Sequence, residues 1–278
     1  MVAQAAAASR ILRLPEAGRL LVCTDIQGNL RDFRRMVDIF EAAPEPCWLV
    51  FTGDLVHGPD PETEQHWPEH LGTPYTDRSP EVVRLYRELL ERHPGRVHCL
   101  LGNHEHAHVG GPPVSKFYLD ESRALEDRVG PEEAALLRET FRGFPLVAVA
   151  PNGVVLTHAA PGAVIDSPGD LERVSITGYE NMQARTFMQV PVLGPLLWSR
   201  WAPLDRSSRF LGALGGRVCV FGHDVVREGF EREAPDQLCV STSFGLLDAR
   251  KVYVDIDLSR EYSSSNDFVV GREIRPLW

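Results

Sequence analysis

Short apolar runs bounded by turn residues recur through the chain at Arg19–Thr24, Trp48–Thr52, Val97–Leu101, Leu146–Ala150, Val154–His158, Arg217–Phe221, Leu238–Thr242 and Lys251–Asp257. That is the pattern of buried strands. Leu146–Ala150 and Val154–His158 flank Pro151-Asn152-Gly153, a hairpin signal. Helical patterns fill Leu30–Phe40, Pro80–Arg92, Ser115–Glu126 and Pro131–Phe141. The last opens Pro131-Glu132-Glu133, with proline in the first turn and acid where the helix dipole favours it. Strand–helix–strand units come first and antiparallel strands later, which predicts an α/β fold of two packed mixed β-sheets flanked by helices. Residues 19–278 are expected to form one domain behind a poorly ordered leader at 1–18. Gly58–Ser79, rich in Pro, His and Glu and without periodicity, is expected to be a long loop.

Bulk properties narrow the classes. The chain has 278 residues, enough to bury a sizeable core, and its 43% hydrophobic and 24% charged content is that of a soluble globular protein. A net charge of −10 argues against nucleic acid as a partner, because phosphate neutralisation needs a basic surface. Small anionic substrates stay open, since bound cations would make a site locally positive. No apolar run approaches the roughly 20 residues that span a bilayer, and Met1–Arg10 lacks the cationic start of a secretory signal. Cys23, Cys47, Cys99, Cys219 and Cys239 stand apart, mostly inside Val/Leu-rich runs, as buried free thiols do. A cytoplasmic location without a membrane partner is expected.

The chemistry sits where the apolar runs end. Thr24–Asn29 reads TDIQGN, Phe51–Asp54 reads FTGD, Leu100–Glu105 reads LGNHE, Thr157–Ala160 reads THAA and Val220–Asp224 reads VFGHD. Each brings a carboxylate, amide or imidazole out of a strand end, the edge at which open α/β sheets bind their ligands. Oxygen and nitrogen donors converging from distant segments are what hard divalent cations require. Singly, Asp25 would also suit a helix cap, and His158 or His223 a satisfied core histidine. Together they point to one metal site. His66, His70, His106 and His108 are expected to be solvated loop residues.

These strings make the chain resemble the calcineurin-like metallophosphoesterases, and within them the branch of phosphoprotein phosphatases and diadenosine tetraphosphate hydrolases. The resemblance runs from about Leu20 to Asp257. The family pattern is D-x-H-G-N, G-D-x-V-D-R-G, G-N-H-E, a lone His after a strand, and a final G-H. Leu196-Leu197-Trp198-Ser199 and Ser241-Thr242-Ser243-Phe244-Gly245 also look like stretches of the phosphoprotein phosphatase branch. The resemblance implies a four-layer sandwich and a phosphoester hydrolase with two divalent metal ions. Asp25, Gln27 and Asp54 would hold one ion, and Asp54, Asn103, His158 and His223 the other. Asp54 would bridge them, and a metal-bridging hydroxide would attack phosphorus in line. His104 would protonate the leaving oxygen as general acid, and Asn29 falls among the substrate contacts.

The chain departs from that pattern at three positions. Gln27 stands where the family has a metal-binding His; an amide oxygen shifts the site toward Mn²⁺ or Mg²⁺ and away from Fe or Zn²⁺. Gln27 as a spectator stays open. His57 and Gly58 replace an Asp-Arg pair that orients the catalytic His and grips the phosphate. His57 is expected to orient His104 in its place, with Arg200 first and Arg206 second as the replacement guanidinium. The expected substrate is a phosphorylated protein, or else a dinucleoside polyphosphate or other small phosphoester. The rival of another class is a degenerate binding module.

Overall fold

In the computed structural model, which describes residues 9–59, 67–117 and 119–278, the strands assemble into two mixed sheets. The first half runs β1 (Ile11–Arg13), β2 (Arg19–Cys23), α1 (Leu30–Glu41), β3 (Cys47–Phe51), α2 (Ser79–Arg92), β4 (Val97–Cys99), α3 (Asn103–Val109), α4 (Glu121–Val129), α5 (Pro131–Arg142), β5 (Val147–Val149) and β6 (Val154–Thr157). The second half runs α6 (Pro168–Glu172), α7 (Ala184–Phe187), α8 (Leu193–Trp198), α9 (Leu204–Leu214), β7 (Val218–Phe221), β8 (Phe230–Ala234), β9 (Gln237–Val240), β10 (Val252–Asp257) and β11 (Ile274–Pro276).

One sheet has the order β11-β10-β2-β3-β4, with β2, β3 and β4 parallel. The other has the order β1-β5-β6-β7-β9-β8, with β6, β7 and β9 parallel. Side-chain direction shows why the strands carry no polar alternation. Leu20 and Val22 of β2, Val50 of β3, Leu156 of β6 and Val218 and Val220 of β7 pack in the apolar layer between the sheets. Their neighbours Leu21, Cys23, Leu49, Phe51, Val155, Cys219 and Phe221 pack outward with Phe33 and Met36 of α1, Leu137 of α5 and Phe210 of α9. Both faces are covered, so the period-2 signal collapses into continuous apolar runs. The result is helix, sheet, sheet, helix.

Several elements differ from expectation for local reasons. Ile11–Arg13, inside the stretch read as a leader, forms β1 and pairs in parallel with β5. The helix expected from Ser115 starts only at Glu121, because Asp120 caps it by accepting from Arg123 N at 3.0 Å. Edge strand β8 (FEREA) carries three consecutive charged residues, all exposed, as edge strands often do. All five cysteines are buried and free, and among the described residues no helix is long and apolar enough to cross a membrane.

Candidate metal centre

The motif residues follow the C-terminal ends of β2, β3, β4, β6 and β7, so the two sheets deliver them to one place. The backbone is bent to do it. Among the described residues, every non-glycine with positive φ lies in these loops: Asp25 (44°), Gln27 (42°), Asp54 (56°), His57 (69°) and His223 (69°). Left-handed backbone is costly for such residues and collects at functional sites. Gly53 is required by close approach, since a Cβ there would stand 2.7 Å from Gly102 Cα and 2.8 Å from His158 Nδ1. Glu105 ties these loops together, accepting from Asp54 N at 2.8 Å, Leu55 N at 2.7 Å and Gly102 N at 3.2 Å.

At the centre lies His158, fully buried. Its Nδ1–H donates to the Thr52 carbonyl at 3.0 Å, which leaves a lone pair on Nε2. That nitrogen stands 3.0 Å from Asn103 Oδ1, 3.1 Å from His223 Nδ1 and 3.5 Å from Asp54 Oδ1. An imidazole lone pair facing an amide oxygen and a carboxylate oxygen at these distances is the arrangement that surrounds a cation. Asp54, Asn103, His158 and His223 therefore fit a divalent ion in both donor type and spacing.

The Asp25 side is less free. The Asp25 carboxylate accepts from His223 N at 2.9 Å. Gln27 lies beside Asp54, its Nε2 3.5 Å from Asp54 Oδ2, but its Oε1 accepts from the Lys116 ammonium at 2.9 Å. Burial, then the charge of Asp54, pushes the Asp25 carboxyl up to about 7. Burial also raises Asp54, against the pull of the Lys116 charge. Two buried carboxylates that resist ionising together are poised for a cation.

His104 follows the ligand position Asn103 and lies on the Asp54 side, Nε2 3.7 Å from Asp54 Oδ2. Its Nδ1 stands 2.9 Å from His57 Nδ1, so the residue in the place of the family's Asp does contact the histidine it was expected to orient. Burial lowers both histidines well below the usual imidazole range. His106 and His108, expected in solvent, are buried on α3. His108 Nε2 meets His57 Nε2 at 2.9 Å, and His108 Nδ1 donates to Glu126 Oε1 at 2.8 Å. His66 lies outside the described residues, whereas His70 is exposed.

The residues expected to contact substrate differ in their surroundings. Asn29 is buried and spends its side chain on the α1 N-terminus, accepting from Asp32 N at 3.2 Å and donating to Asp32 Oδ2 at 2.8 Å. Asp32 is held in turn by Lys251 Nζ at 2.7 Å and Trp278 Nε1 at 3.0 Å. Arg200 is largely exposed and paired with Asp224, next to the ligand position His223. Arg200 and Arg206 line an open groove with Trp198, whose ring lies edge-on to His223 at 6.2 Å between centroids. The Gly58 position is closed to any side chain: a Cβ there would stand 2.5 Å from the Gln27 carbonyl oxygen.

Lys116 and Glu121 escaped the sequence reading. Glu121 Oε2 lies 3.3 Å from His104 Nδ1, and Lys116 reaches Gln27. One signal was available. Lys116 and Lys251 are the only lysines in a chain that otherwise uses arginine; Lys251 is buried against Asp32, and Lys116, an exposed residue, ends on Gln27.

Comparison with known proteins decides the family. The calcineurin-like phosphoesterase model matches residues 18–231. The chain belongs to the calcineurin-like phosphoesterases. Among solved structures, a protein serine/threonine phosphatase from Saccharomyces cerevisiae with similarity to human phosphatase PP5 superposes with a TM-score of 0.61 at 15% identity, covering 90% of this chain and 77% of that one. A cold-active protein-tyrosine phosphatase from a psychrophilic Shewanella species gives a TM-score of 0.59 at 13% identity, covering 90% and 78%. As a calcineurin-like phosphoesterase the protein is a metal-dependent phosphoester hydrolase, and its fold is the family's two-sheet sandwich.

Proposed function

We propose that this phosphoesterase removes phosphate from phosphorylated proteins, using two divalent cations of which Mn²⁺ is the best activator. The observation that carries the metal reading is the ring of donors about His158 Nε2, with Asn103, His223 and Asp54 all within 3.5 Å. The phosphoprotein reading is supported by the LLWS and STSFG stretches and by the names of the two superposable phosphatases. Free buried thiols suit a reducing cytoplasm.

Cations held by Asp25 and Asp54 on one side, with Gln27 joining them only where its Oε1 leaves Lys116, and by Asp54, Asn103, His158 and His223 on the other, would supply an activated water and neutralise phosphoryl charge. The chain does the rest. Thr52 fixes the tautomer of His158, and Glu105 fixes the Asp54 loop. His104, with Nε2 toward Asp54, delivers a proton to the leaving oxygen. Lys116, not a residue at position 58, carries the positive charge that meets the phosphoryl group, with Arg200 on the rim.

Hydrolysis of p-nitrophenyl phosphate by protein stripped of metal and resupplied with Mn²⁺, Mg²⁺, Zn²⁺ or Ca²⁺ tests the core of this reading. Activity should vanish on stripping and return most fully with Mn²⁺. Full activity after chelation would overturn it. A phosphoserine peptide assayed against a dinucleoside polyphosphate separates the substrate classes.

A further inference from the structure

We propose that His57, His104 and Glu121 form a separate cation site of the zinc class, buried beside the Asp54 centre. The inference does not rest on the phosphoester reading. His57 Nδ1 lies 2.9 Å from His104 Nδ1, and Glu121 Oε2 lies 3.3 Å from His104 Nδ1 and 3.5 Å from His57 Nδ1. Ligand atoms around one tetrahedral Zn²⁺, with bonds of about 2.0–2.1 Å, stand about 3.3–3.4 Å apart. The triangle is of that size, and two imidazoles with one carboxylate are a donor set that suits zinc.

Glu121 shows why the pocket wants an occupant. Its Oε1 is fixed by backbone donors, Lys116 N at 2.7 Å and Phe117 N at 2.6 Å. Its Oε2 is buried and has no hydrogen-bond partner, although the residue is only 2% exposed. A bare carboxylate oxygen in that setting is costly. It points at two imidazole nitrogens rather than at solvent.

The histidine chain behind the site prepares one of those nitrogens. Glu126 accepts the Nδ1–H of His108, which leaves His108 Nε2 to accept the Nε2–H of His57. His57 Nδ1 is then a lone pair turned to the triad. This is the support in which a metal-binding histidine hands its other N–H to an outer acceptor. With no cation, a neutral His104 donates Nδ1–H to His57, and its Nε2 carries a proton only while the ring is an imidazolium. With a cation on both Nδ1 atoms, the His104 proton moves to Nε2, on the side of Asp54. A cavity of about 80 Å³, lined in part by His57, Glu121 and Arg128, has room for the fourth ligand, a water.

The full chain, stripped with a chelator, is titrated with Zn²⁺ by calorimetry alongside Glu121→Gln, and both are analysed for metal content. Wild type should hold one ion per chain more than Glu121→Gln, with circular dichroism confirming the fold of the variant. If Glu121→Gln does not fold, Asp54→Asn/His223→Ala dismantles the main centre and leaves the triad. Loaded with Co²⁺, that double variant should still hold one ion with the visible absorption of a four-coordinate site. Equal metal counts in wild type and Glu121→Gln, or a double variant that takes no Co²⁺, would overturn the proposal. In either case an imidazolium nitrogen resonance from His57 or His104 would assign the pocket to a proton.

Discussion

The ammonium of Lys116 stands 2.9 Å from the amide oxygen of Gln27, the residue in the place of a family metal ligand. Where an imidazole would offer a lone pair to an ion, this chain has an amide already engaged by a cation. Lys116 also lies 4.0 Å from the centroid of the Phe244 ring, which steadies it against that side of the site. It is therefore a charge at the metal centre supplied by the chain itself.

Lys116→Met should separate the two roles this contact implies. Loss of a charged hydrogen bond to the phosphoryl group, worth about 1.5–3 kcal/mol, predicts a drop of about 10–100-fold in kcat/KM. Removal of the competing cation should at the same time tighten metal binding at Asp25 and Gln27, read as a lower Mn²⁺ concentration for half-maximal activity. Unchanged kcat/KM together with an unchanged Mn²⁺ requirement would make Lys116 a surface lysine.

Asp54 faces both halves of the centre. Its carboxylate lies 3.5 Å from His158 Nε2 and 3.5 Å from Gln27 Nε2, and it accepts from His104 N at 3.2 Å. Asp54→Asn should lower turnover by more than about 10³-fold, because several kcal/mol of charge stabilisation leave with the ions. Metal content should fall in the same sample. A variant that keeps both its metal and its turnover would remove Asp54 from the centre.

How much of this was legible depended on where a residue's neighbours come from. Asp25, Asp54, Asn103, His158 and His223 each follow a strand, and a run of apolar residues closed by a turn exposes such positions in the sequence itself. Glu121 and His108 come from helices whose local pattern says nothing about the site. Ser115–Glu126 has helical spacing, yet Asp120 delays the helix by several residues, so Lys116 stays on a loop and Glu121 lands on the first turn. His108 was misplaced in solvent because Asn103–Val109 is mostly polar, with Ala107 and Val109 its only apolar residues; the packing of Phe141 at 5.3 Å and the contacts with His57 and Glu126 accompany its burial. Asn29, expected among the substrate contacts, caps α1, since a residue just before a helix is chemically suited to cap it as well as to bind substrate.

The raised Asp25 gives metal binding a definite pH dependence. Its carboxyl is held up to about 7, above the ordinary 3.8, by burial and then by Asp54. The folded metal-free chain thus keeps this proton more tightly than the unfolded chain does. Its contribution to stability is full below the unfolded value and is lost as pH rises toward 7. A cation must displace that proton, so binding strengthens over the same window and levels off above it. At a fixed subsaturating Mn²⁺ concentration, the rise in Tm should be small at about pH 5 and larger at about pH 7.5. Asp25→Asn should reduce that difference, the remainder belonging to Asp54, which burial also raises. A metal-induced shift in Tm that is the same at both pH values would place the bound ion away from Asp25.

His104→Asn tests the proton donor. His104 Nε2 lies on the Asp54 side of the ring, and Nδ1 is held from behind by His57 and Glu121. A donor so placed helps in proportion to the basicity of the oxygen that leaves. General acid catalysis contributes about 10²–10⁴-fold, nearly all of it for poor leaving groups. A phosphoserine peptide expels an alkoxide and should lose that full factor, whereas p-nitrophenyl phosphate expels a stable phenolate and should lose roughly tenfold or less. If His104 acted only by positioning the Asp54 loop, through its backbone N–H to Asp54 Oδ1 at 3.2 Å, the asparagine variant would keep that contact and both substrates would respond alike. Equal losses on the two substrates would therefore remove His104 as the acid and leave the metal ligands untouched.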